Sequence, residues 1–324
     1  ASSTDLAAAK RRLGFDEIFS LVLASLLNKQ ENALEHSMRI DFNEKVAKDF
    51  VKKLPFQLTD DQRRAAWEIY QDMGQEHPMN RLIEGDVGSG KTVIAAMAAV
   101  MAMNSGYQVA LMAPTEILAK QHAATLYSLL EPLRMASLVG LLVGGLTPGR
   151  KKTMIQKIKD GSCRLLVGTH ALIQESVDMH NLGLVIIDEQ HRFGVDQRKR
   201  LMAKAGHMPH VLTLTATPIP RSLALTLYGE LDISLLKQKP SGRKPVATAI
   251  VRAEQRGDMY TGLVDRVVSG EQMYVVCPLI VKGEKGTEVL RSVEQVYAEI
   301  TEKFPAGMVD LLHGKMKSDE KQTI

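Results

Sequence analysis

Between residues 80 and 216, short apolar runs alternate with longer segments in which apolar residues recur every three or four positions. Short runs rich in Val, Leu and Ile indicate buried strands, and the periodic segments indicate helices. The predicted strands are 81–84, 108–112, 137–143, 164–168, 184–188 and 210–215, and the predicted helices are 91–104, 115–130, 148–160 and 195–205. We therefore predict an α/β fold in which helices cover both faces of a parallel sheet.

The first 53 residues predict helices and no strand. Charged and apolar residues alternate at helical spacing and Gly and Pro are nearly absent, so two helical blocks are predicted, with a break near 35–41. Pro55 disfavours helix at Leu54. A further helix is predicted to begin after Thr59 or Asp60 and to run to about residue 76.

The pattern is interrupted at 237–245, where K-Q-K-P-S-G-R-K-P predicts a linker. A second α/β unit is predicted after it, with strands at 246–251, 272–280 and 308–312 and helices at 255–269 and 289–303. The predicted organisation is a helical segment over 1–53, an α/β domain over 54–238, a linker over 239–245 and part of a second α/β domain over 246–324.

Composition sets limits on the class of protein. The chain has 324 residues and a net charge of +4, which permits a polyanionic partner without requiring one. The only cysteines, Cys163 and Cys277, lie far apart in apolar runs, so we expect reduced, buried thiols in a cytoplasmic protein. The apolar run 19–27 predicts an amphipathic helix, and no run reaches the roughly 18 apolar residues of a membrane span.

The stretch 85–92 reads G-D-V-G-S-G-K-T and lies between a predicted strand and a predicted helix. The spacing G-x-x-x-x-G-K-T is typical of a loop that binds the phosphates of a nucleoside triphosphate at the positive end of a helix. Lys91 is predicted to reach the β- and γ-phosphates, and Thr92 to hold Mg²⁺. The predicted phosphate-binding residues are Gly85, Asp86, Val87, Gly88, Ser89, Gly90, Lys91 and Thr92.

A second motif follows the aliphatic run 184–187, where the predicted strand ends in Asp188 and Glu189. Asp188 is predicted to hold Mg²⁺ together with Thr92. Glu189 is predicted to polarise the water that attacks the γ-phosphate. The two motifs together predict nucleoside triphosphate hydrolysis.

Four further stretches narrow the prediction: P-T-E-I-L-A at 114–119, G-T-H-A-L-I at 168–173, D-E-Q-H-R-F-G-V at 188–195 and T-A-T-P-I-P-R at 215–221. With the phosphate loop, they resemble the superfamily 2 helicases and translocases, and in particular the RecG-type branch-migrating DNA helicases. The resemblance covers roughly residues 50–324. It implies two RecA-like domains, the second of them partial, with ATP and Mg²⁺ as cofactors and with DNA as the partner of a monomeric, nucleoid-associated motor.

The resemblance also implies roles for individual residues. Phe56 and Gln62 match the adenine-reading element, and a glutamine amide has the donor and acceptor that adenine requires. The positions that line the DNA backbone track in this family are occupied by Pro114, Thr115, Gln121, His122, Thr169 and His170. Those that couple the γ-phosphate to DNA are occupied by Gln190, Arg192, Thr215, Ala216 and Thr217.

The second predicted domain matches the family only in part. The stretches 274–280 and 312–316 resemble its opening motifs, but the motif that carries the arginine finger is not found, nor is the amino-terminal wedge domain. We therefore expect this chain to be a poor ATPase by itself. A duplex DNA translocase of the transcription-repair coupling type and an ATP-binding module without turnover remain alternatives.

Overall fold

The computed structural model describes residues 3–174, 176–179, 181–189, 193, 195–205, 207–217, 231–240, 246–279, 291–316 and 318–324. The chain divides into two compact units, 1–243 and 244–324. In the first unit the helices are α1 Ser3–Leu34, α2 Glu44–Lys52, α3 Asp60–Met73, α4 Lys91–Asn104, α5 Glu116–Leu130, α6 Pro148–Lys159 and α7 Val195–Met202. Its strands are β1 Asn80–Gly85, β2 Gln108–Met112, β3 Val139–Leu142, β4 Leu165–Gly168, β5 Leu182–Asp188, β6 His210–Thr215 and β7 Asp232–Leu236.

The seven described strands form one sheet in the order β3-β4-β2-β5-β6-β1-β7, and every pairing is parallel. This confirms the predicted α/β class. The six strands predicted before residue 216 are all present. The sequence interpretation missed β7, an edge strand whose outer residues are only partly buried.

Neighbouring residues of the central strands point to opposite faces of the sheet. Val109 and Leu111 of β2 lie in one core cluster, and Ala110 and Met112 lie in the other. This is the period of two that a pleated strand imposes. Both faces are therefore covered, as the continuous apolar runs predicted.

Helix α4 is the most deeply buried helix of this unit. Every residue from 93 to 103 is buried, which its Ala- and Met-rich sequence permits on all sides. The phosphate loop thus leads into a helix that is held on every face, and the position of Lys91 is fixed by the core of the fold.

The amino-terminal residues form α1 and α2 with the predicted break between them. The connecting segment is bound to the α/β domain: the Ser37 amide donates to Glu76 O at 2.8 Å, and the Ile40 amide donates to Met73 O at 2.8 Å. Lys29 of α1 pairs with Asp232 at the start of β7. Most large apolar side chains of α1 are exposed. No helix in the described part of the chain combines the length and apolar content needed to cross a membrane.

His210 connects this segment to the sheet. It is fully buried at the start of β6; its Nδ1 accepts from the Met79 amide at 3.0 Å, and its Nε2 donates to Met38 O at 2.7 Å. Burial is the main cause that lowers the pKa of His210 to about 4, while the Met38 carbonyl opposes the shift. The ring is therefore neutral in the folded protein near neutral pH.

This buried imidazole predicts a loss of stability in acid. Its folded pKa of about 4 lies below the unfolded value of 6.5, so its contribution is complete above pH 6.5 and is lost as the pH falls through 4. We expect His210→Gln, which cannot titrate, to reduce the fall in unfolding free energy between pH 7 and pH 4 by up to about 3 kcal/mol. Urea unfolding across this range measures it. His36→Gln, at an exposed position, is the control; equal pH dependence in wild type and His210→Gln would contradict the assignment.

The second unit differs from its prediction. Its helices α8 Arg256–Val268 and α9 Val293–Thr301 lie close to the predicted positions, and α10 Ser318–Thr323 follows them. The predicted strands at 246–251, 272–280 and 308–312 are wrong for the described residues, where the only β-pairing is a bridge between Leu279 and Ser292. A strand needs a paired neighbour, and the apolar side chains of Val246, Ile250 and Val276 are more than 80% exposed.

Candidate nucleotide and DNA site

The phosphate loop connects the end of β1 to the start of α4. Gly88 and Gly90 have φ values of +77° and +88°, a left-handed conformation that costs residues with a side chain about 1–2 kcal/mol. Gly90 is also the N-cap of α4. The loop therefore directs backbone N–H groups to the positive end of a buried helix, the arrangement that binds phosphate.

Two side chains in the loop fit an anionic ligand. The Ser89 hydroxyl is buried and has no hydrogen-bond partner among the described residues, an arrangement that costs about 1–3 kcal/mol. The Lys91 ammonium donates to Gly85 O at 2.7 Å and to Asp86 O at 3.1 Å. Burial lowers the pKa of Lys91, while the charges of Asp188, Glu189 and Asp86 act in the opposite direction. A triphosphate would supply acceptors to both groups.

Gln62 lies against this loop in a different manner from the one the resemblance implies. Its Oε1 accepts from the Thr59 amide at 2.9 Å, its Nε2 donates to Ser89 O at 2.7 Å, and the residue is 1% exposed. Gln62 therefore completes the capping box of α3 and fastens this helix to the phosphate loop. Phe56 is 45% exposed. Adenine reading by Phe56 and Gln62 stays a prediction.

The Gln62 contact makes Gly90 intolerant of a side chain. A Cβ at position 90 would lie 2.2 Å from Gln62 Nε2, in addition to the strain of its φ. We expect Gly90→Ala to weaken ATP binding by roughly tenfold or more, which corresponds to about 1.4 kcal/mol. Gly106→Ala is the matched control, because Gly106 has a φ of +87° and a Cβ there meets nothing within 4 Å. Titration with a fluorescent ATP analogue tests both variants; equal affinities would contradict the prediction.

The predicted site residues lie at one edge of the sheet because all the strands are parallel. In the strand order, residues 169–170 follow β4, residues 114–115 follow β2, Asp188 ends β5, residues 216–217 follow β6, and the phosphate loop follows β1. The predicted nucleotide and DNA groups thus lie on opposite sides of Asp188. β5 is the central strand between them.

Asp188 and Glu189 differ in conformation and in partners. Asp188 is 8% exposed, and one of its oxygens, Oδ2, lies 2.7 Å from His122 Nε2. Glu189 has a φ of +52°, unusual for a residue with a side chain, and its Oε1 accepts from the Ala216 amide at 3.2 Å. Such strain is frequent at functional sites. The predicted general base is therefore joined directly to residues 215–217, the predicted coupling segment.

That coupling segment is ordered by its own hydroxyls. Thr215 Oγ1 lies 2.9 Å from Thr217 Oγ1 and accepts from the Thr217 amide at 3.2 Å. These bonds fix the turn that presents the Ala216 amide to Glu189. The two other residues predicted to couple the γ-phosphate to DNA, Gln190 and Arg192, lie outside the described residues.

The residues predicted to hold Mg²⁺ fit that ion. Thr92 lies in the first turn of α4 and Asp188 at the end of β5, and both supply oxygen, the ligand that Mg²⁺ prefers. In the described part of the chain no group of three or more His, Cys, Asp or Glu could hold a metal ion. Mg²⁺ usually takes one or two protein ligands together with phosphate oxygens and water, so this sparse set is suitable.

The predicted DNA-contact residues are not equally accessible. Thr115, Gln121 and His170 are exposed, but the Thr115 hydroxyl already accepts from the Leu118 amide at 3.3 Å as the N-cap of α5. Thr169 is buried, and Pro114 and His122 are half-buried. Contact of these six residues with DNA stays a prediction.

The sequence interpretation missed a connection between α3 and the segment after β7. Asp61 Oδ2 accepts from the amides of Lys237 and Gln238, each at 2.8 Å, and Gln238 Oε1 accepts from the Asp60 amide at 2.9 Å. The Gln238 amide is the first cause that holds the pKa of Asp61 below its usual value. No local sequence pattern indicates this connection, because Asp61 and Gln238 are 177 residues apart.

A cavity of about 220 Å³ lies beside the phosphate loop, where β1 and β7 end. Its walls include Gly85 and Asp86 of the loop, Ala216 of the coupling segment and Lys237. The space is therefore bordered by the same elements that the nucleotide motifs occupy.

Comparisons with known proteins agree with this geometry. The model of the DEAD/DEAH box helicase family matches residues 59–226, more than half of the chain. The ATP-dependent DNA helicase RecG of Aquifex aeolicus (strain VF5) is 46% identical over 324 residues, which are all of this chain and 40% of that protein. RecG of Staphylococcus aureus (strain NCTC 8325) is 42% identical over 324 residues, or 46% of its own length.

The fold has a solved counterpart. A structure of RecG bound to a three-way DNA junction superposes with a TM-score of 0.77 and 39% identity, over 92% of this chain and 38% of that one. The chain thus spans less than half the length of these relatives. With a RecA-like parallel sheet, its nucleotide motifs at the carboxyl edge and a family match over that region, this chain belongs to the DEAD/DEAH box helicase family.

Proposed function

We propose that this chain is the motor portion of an ATP-driven DNA translocase that remodels branched DNA such as forks and four-way junctions. The observation that carries the proposal is the arrangement of motifs along one sheet edge. The phosphate loop follows β1 and the predicted coupling segment follows β6, while the predicted nucleic-acid groups follow β2 and β4; the two carboxylates lie between them at the end of β5. ATP hydrolysis at the end of the central strand β5 can thus affect both the nucleotide groups and the DNA groups of this sheet edge.

The proposed chemistry is hydrolysis of ATP with Mg²⁺. Bound at Thr92 and Asp188, the metal would neutralise phosphate charge, which is its usual contribution in phosphoryl transfer. Lys91 would orient the β- and γ-phosphates, and Glu189 would accept a proton from the attacking water. The Glu189–Ala216 hydrogen bond would transmit this change in the protonation of Glu189 to the coupling segment.

Branched DNA as the substrate is supported by the relatives. The similar solved structure is of RecG bound to a three-way DNA junction. At the residue level, Gln190 and His191 favour this class over the transcription-repair coupling factors, in which a glutamate and a glutamine are expected at these two positions. We propose a monomeric motor that acts on DNA in the cytoplasm.

Binding and turnover test the proposal separately. We expect the 324-residue chain to bind ATP and forked DNA, with DNA affinity falling steeply as salt rises because phosphate contacts dominate. Its own ATP turnover should respond little to DNA. A chimera with this chain in place of the matching part of the Aquifex aeolicus RecG should hydrolyse ATP faster with forked than with single-stranded DNA. A chain that binds ATP but no DNA would favour the ATP-binding module instead.

A further inference from the structure

His122 was expected to face DNA, but its ring faces Asp188, the carboxylate predicted to hold Mg²⁺. Its Nε2 lies 2.7 Å from Asp188 Oδ2, and the two side chains are only 13% and 12% exposed. The contact joins residues 66 positions apart, on a helix and on a strand end. An imidazole in this place is poorly placed to contact a DNA backbone on the surface.

The helix carries His122 on its inward stripe. Ala119 and Leu126, three residues before and four after it, are both fully buried, and the spacing puts all three on one face of α5. Gln121 and Thr125, at other positions of the same helix, are exposed. The orientation of His122 is therefore set by the packing of α5.

The sheet brings this helix to Asp188. β2 pairs with β5 so that Met112 lies opposite Ile187, one residue before Asp188. α5 begins four residues after Met112, and the Thr115 cap fixes its first turn. Strand pairing, cap and helix period together place His122 beside the carboxylate.

The contact suits a group that orients a metal ligand. A neutral imidazole facing a carboxylate donates through the nitrogen that faces it, here Nε2, while the second oxygen of Asp188 is left for a cation. Such outer partners fix ligand geometry, and their loss typically costs about 10- to 100-fold in metal affinity or activity. Within the described part of the chain, His122 is the one hydrogen-bond partner found for the Asp188 side chain.

We propose that His122 is a positioning residue that holds Asp188 for Mg²⁺ and joins the metal site to α5, the helix that carries the predicted DNA contacts Thr115 and Gln121. The proposal rests on the proposed function, because it takes Asp188 to be a metal ligand. The His122–Asp188 hydrogen bond connects α5, with its predicted DNA contacts, directly to the predicted metal ligand. A shift of α5 on DNA binding would move the Asp188 carboxylate through one hydrogen bond.

Mn²⁺ binding in the presence of ADP, followed by the electron paramagnetic resonance signal of the free ion, tests the assignment without turnover. We expect His122→Leu, which keeps apolar volume but has no donor, to weaken Mn²⁺ binding by about 10- to 100-fold. His122→Gln carries an N–H donor at similar reach and should restore affinity to within about threefold. Thr125→Leu, an exposed position on the same helix, is the control and should leave Mn²⁺ binding unchanged.

DNA binding without nucleotide separates the two roles of His122. We expect His122→Leu to bind forked DNA with wild-type affinity. Mn²⁺ affinity within twofold of wild type in His122→Leu would overturn the positioning role, and so would a loss confined to DNA binding, which would restore the DNA-contact role. Wild-type protein that takes up no Mn²⁺ with ADP would overturn the proposed hydrolytic site along with it.

Discussion

Replacing Lys91 with alanine is expected to reduce ATP turnover by on the order of 10³-fold, the upper range for loss of one electrostatic donor at a reacting centre. Lys91 Nζ now lies 2.7 Å from Gly85 O, folded back into the loop that would hold the phosphates. No other lysine or arginine is part of this loop, so no residue of the loop replaces its charge. Turnover in the chain and in the RecG chimera, with nucleotide affinity measured in parallel, tests the effect.

The fold should tolerate this change. The contacts of Lys91 with two backbone carbonyls are local, and α4 is held by its buried residues from 93 to 103. Lys48→Ala is the control, since Lys48 is an exposed lysine that pairs with Glu44 on the surface. Undiminished turnover in Lys91→Ala, with Lys48→Ala behaving as wild type, would refute the phosphate-loop assignment.

Glu189→Gln is expected to keep ATP binding and to slow hydrolysis by at least about 10²-fold, as loss of a positioned general base implies. The glutamine retains the Oε1 acceptor for the Ala216 amide, so the strained turn with a φ of +52° should persist. What it loses is the basicity needed to take a proton from water. Single-turnover hydrolysis of bound ATP measures the chemical step directly.

A matched variant distinguishes this effect from a general effect of lost charge. Glu131→Gln removes a carboxylate at an exposed position after α5 and should leave hydrolysis unchanged. If Glu189→Gln binds ATP more weakly and hydrolyses what it binds at the normal rate, Glu189 positions nucleotide and is not the base.

Much of the α/β domain could be predicted from local pattern. Helix α4 has the predicted bounds of 91–104, and β6 has those of 210–215. These elements are long or strongly apolar, and their period agrees with their burial. The edge strand β7 was missed because its Asp232 and Ser234 interrupt the apolar signal.

The strands of the second unit show where local pattern fails. Residues 246–250 and 274–276 have the composition of strands, yet they have no paired neighbour in the described part of that unit. Strand formation depends on hydrogen bonds to residues distant in sequence. Composition alone therefore cannot decide whether such a segment forms a strand.

The sequence by itself determined the candidate chemical groups and the fold class of this protein: a glycine-rich loop with Lys91 and Thr92, a strand that ends in two carboxylates, and an alternation that indicates a parallel sheet. Those features depend on residue type and local spacing. Only the tertiary structure decided which groups meet. It turned His122 inward to Asp188, engaged both ends of the Gln62 amide and joined Glu189 to Ala216, because such contacts arise from strand order and helix packing, which no local window of sequence contains.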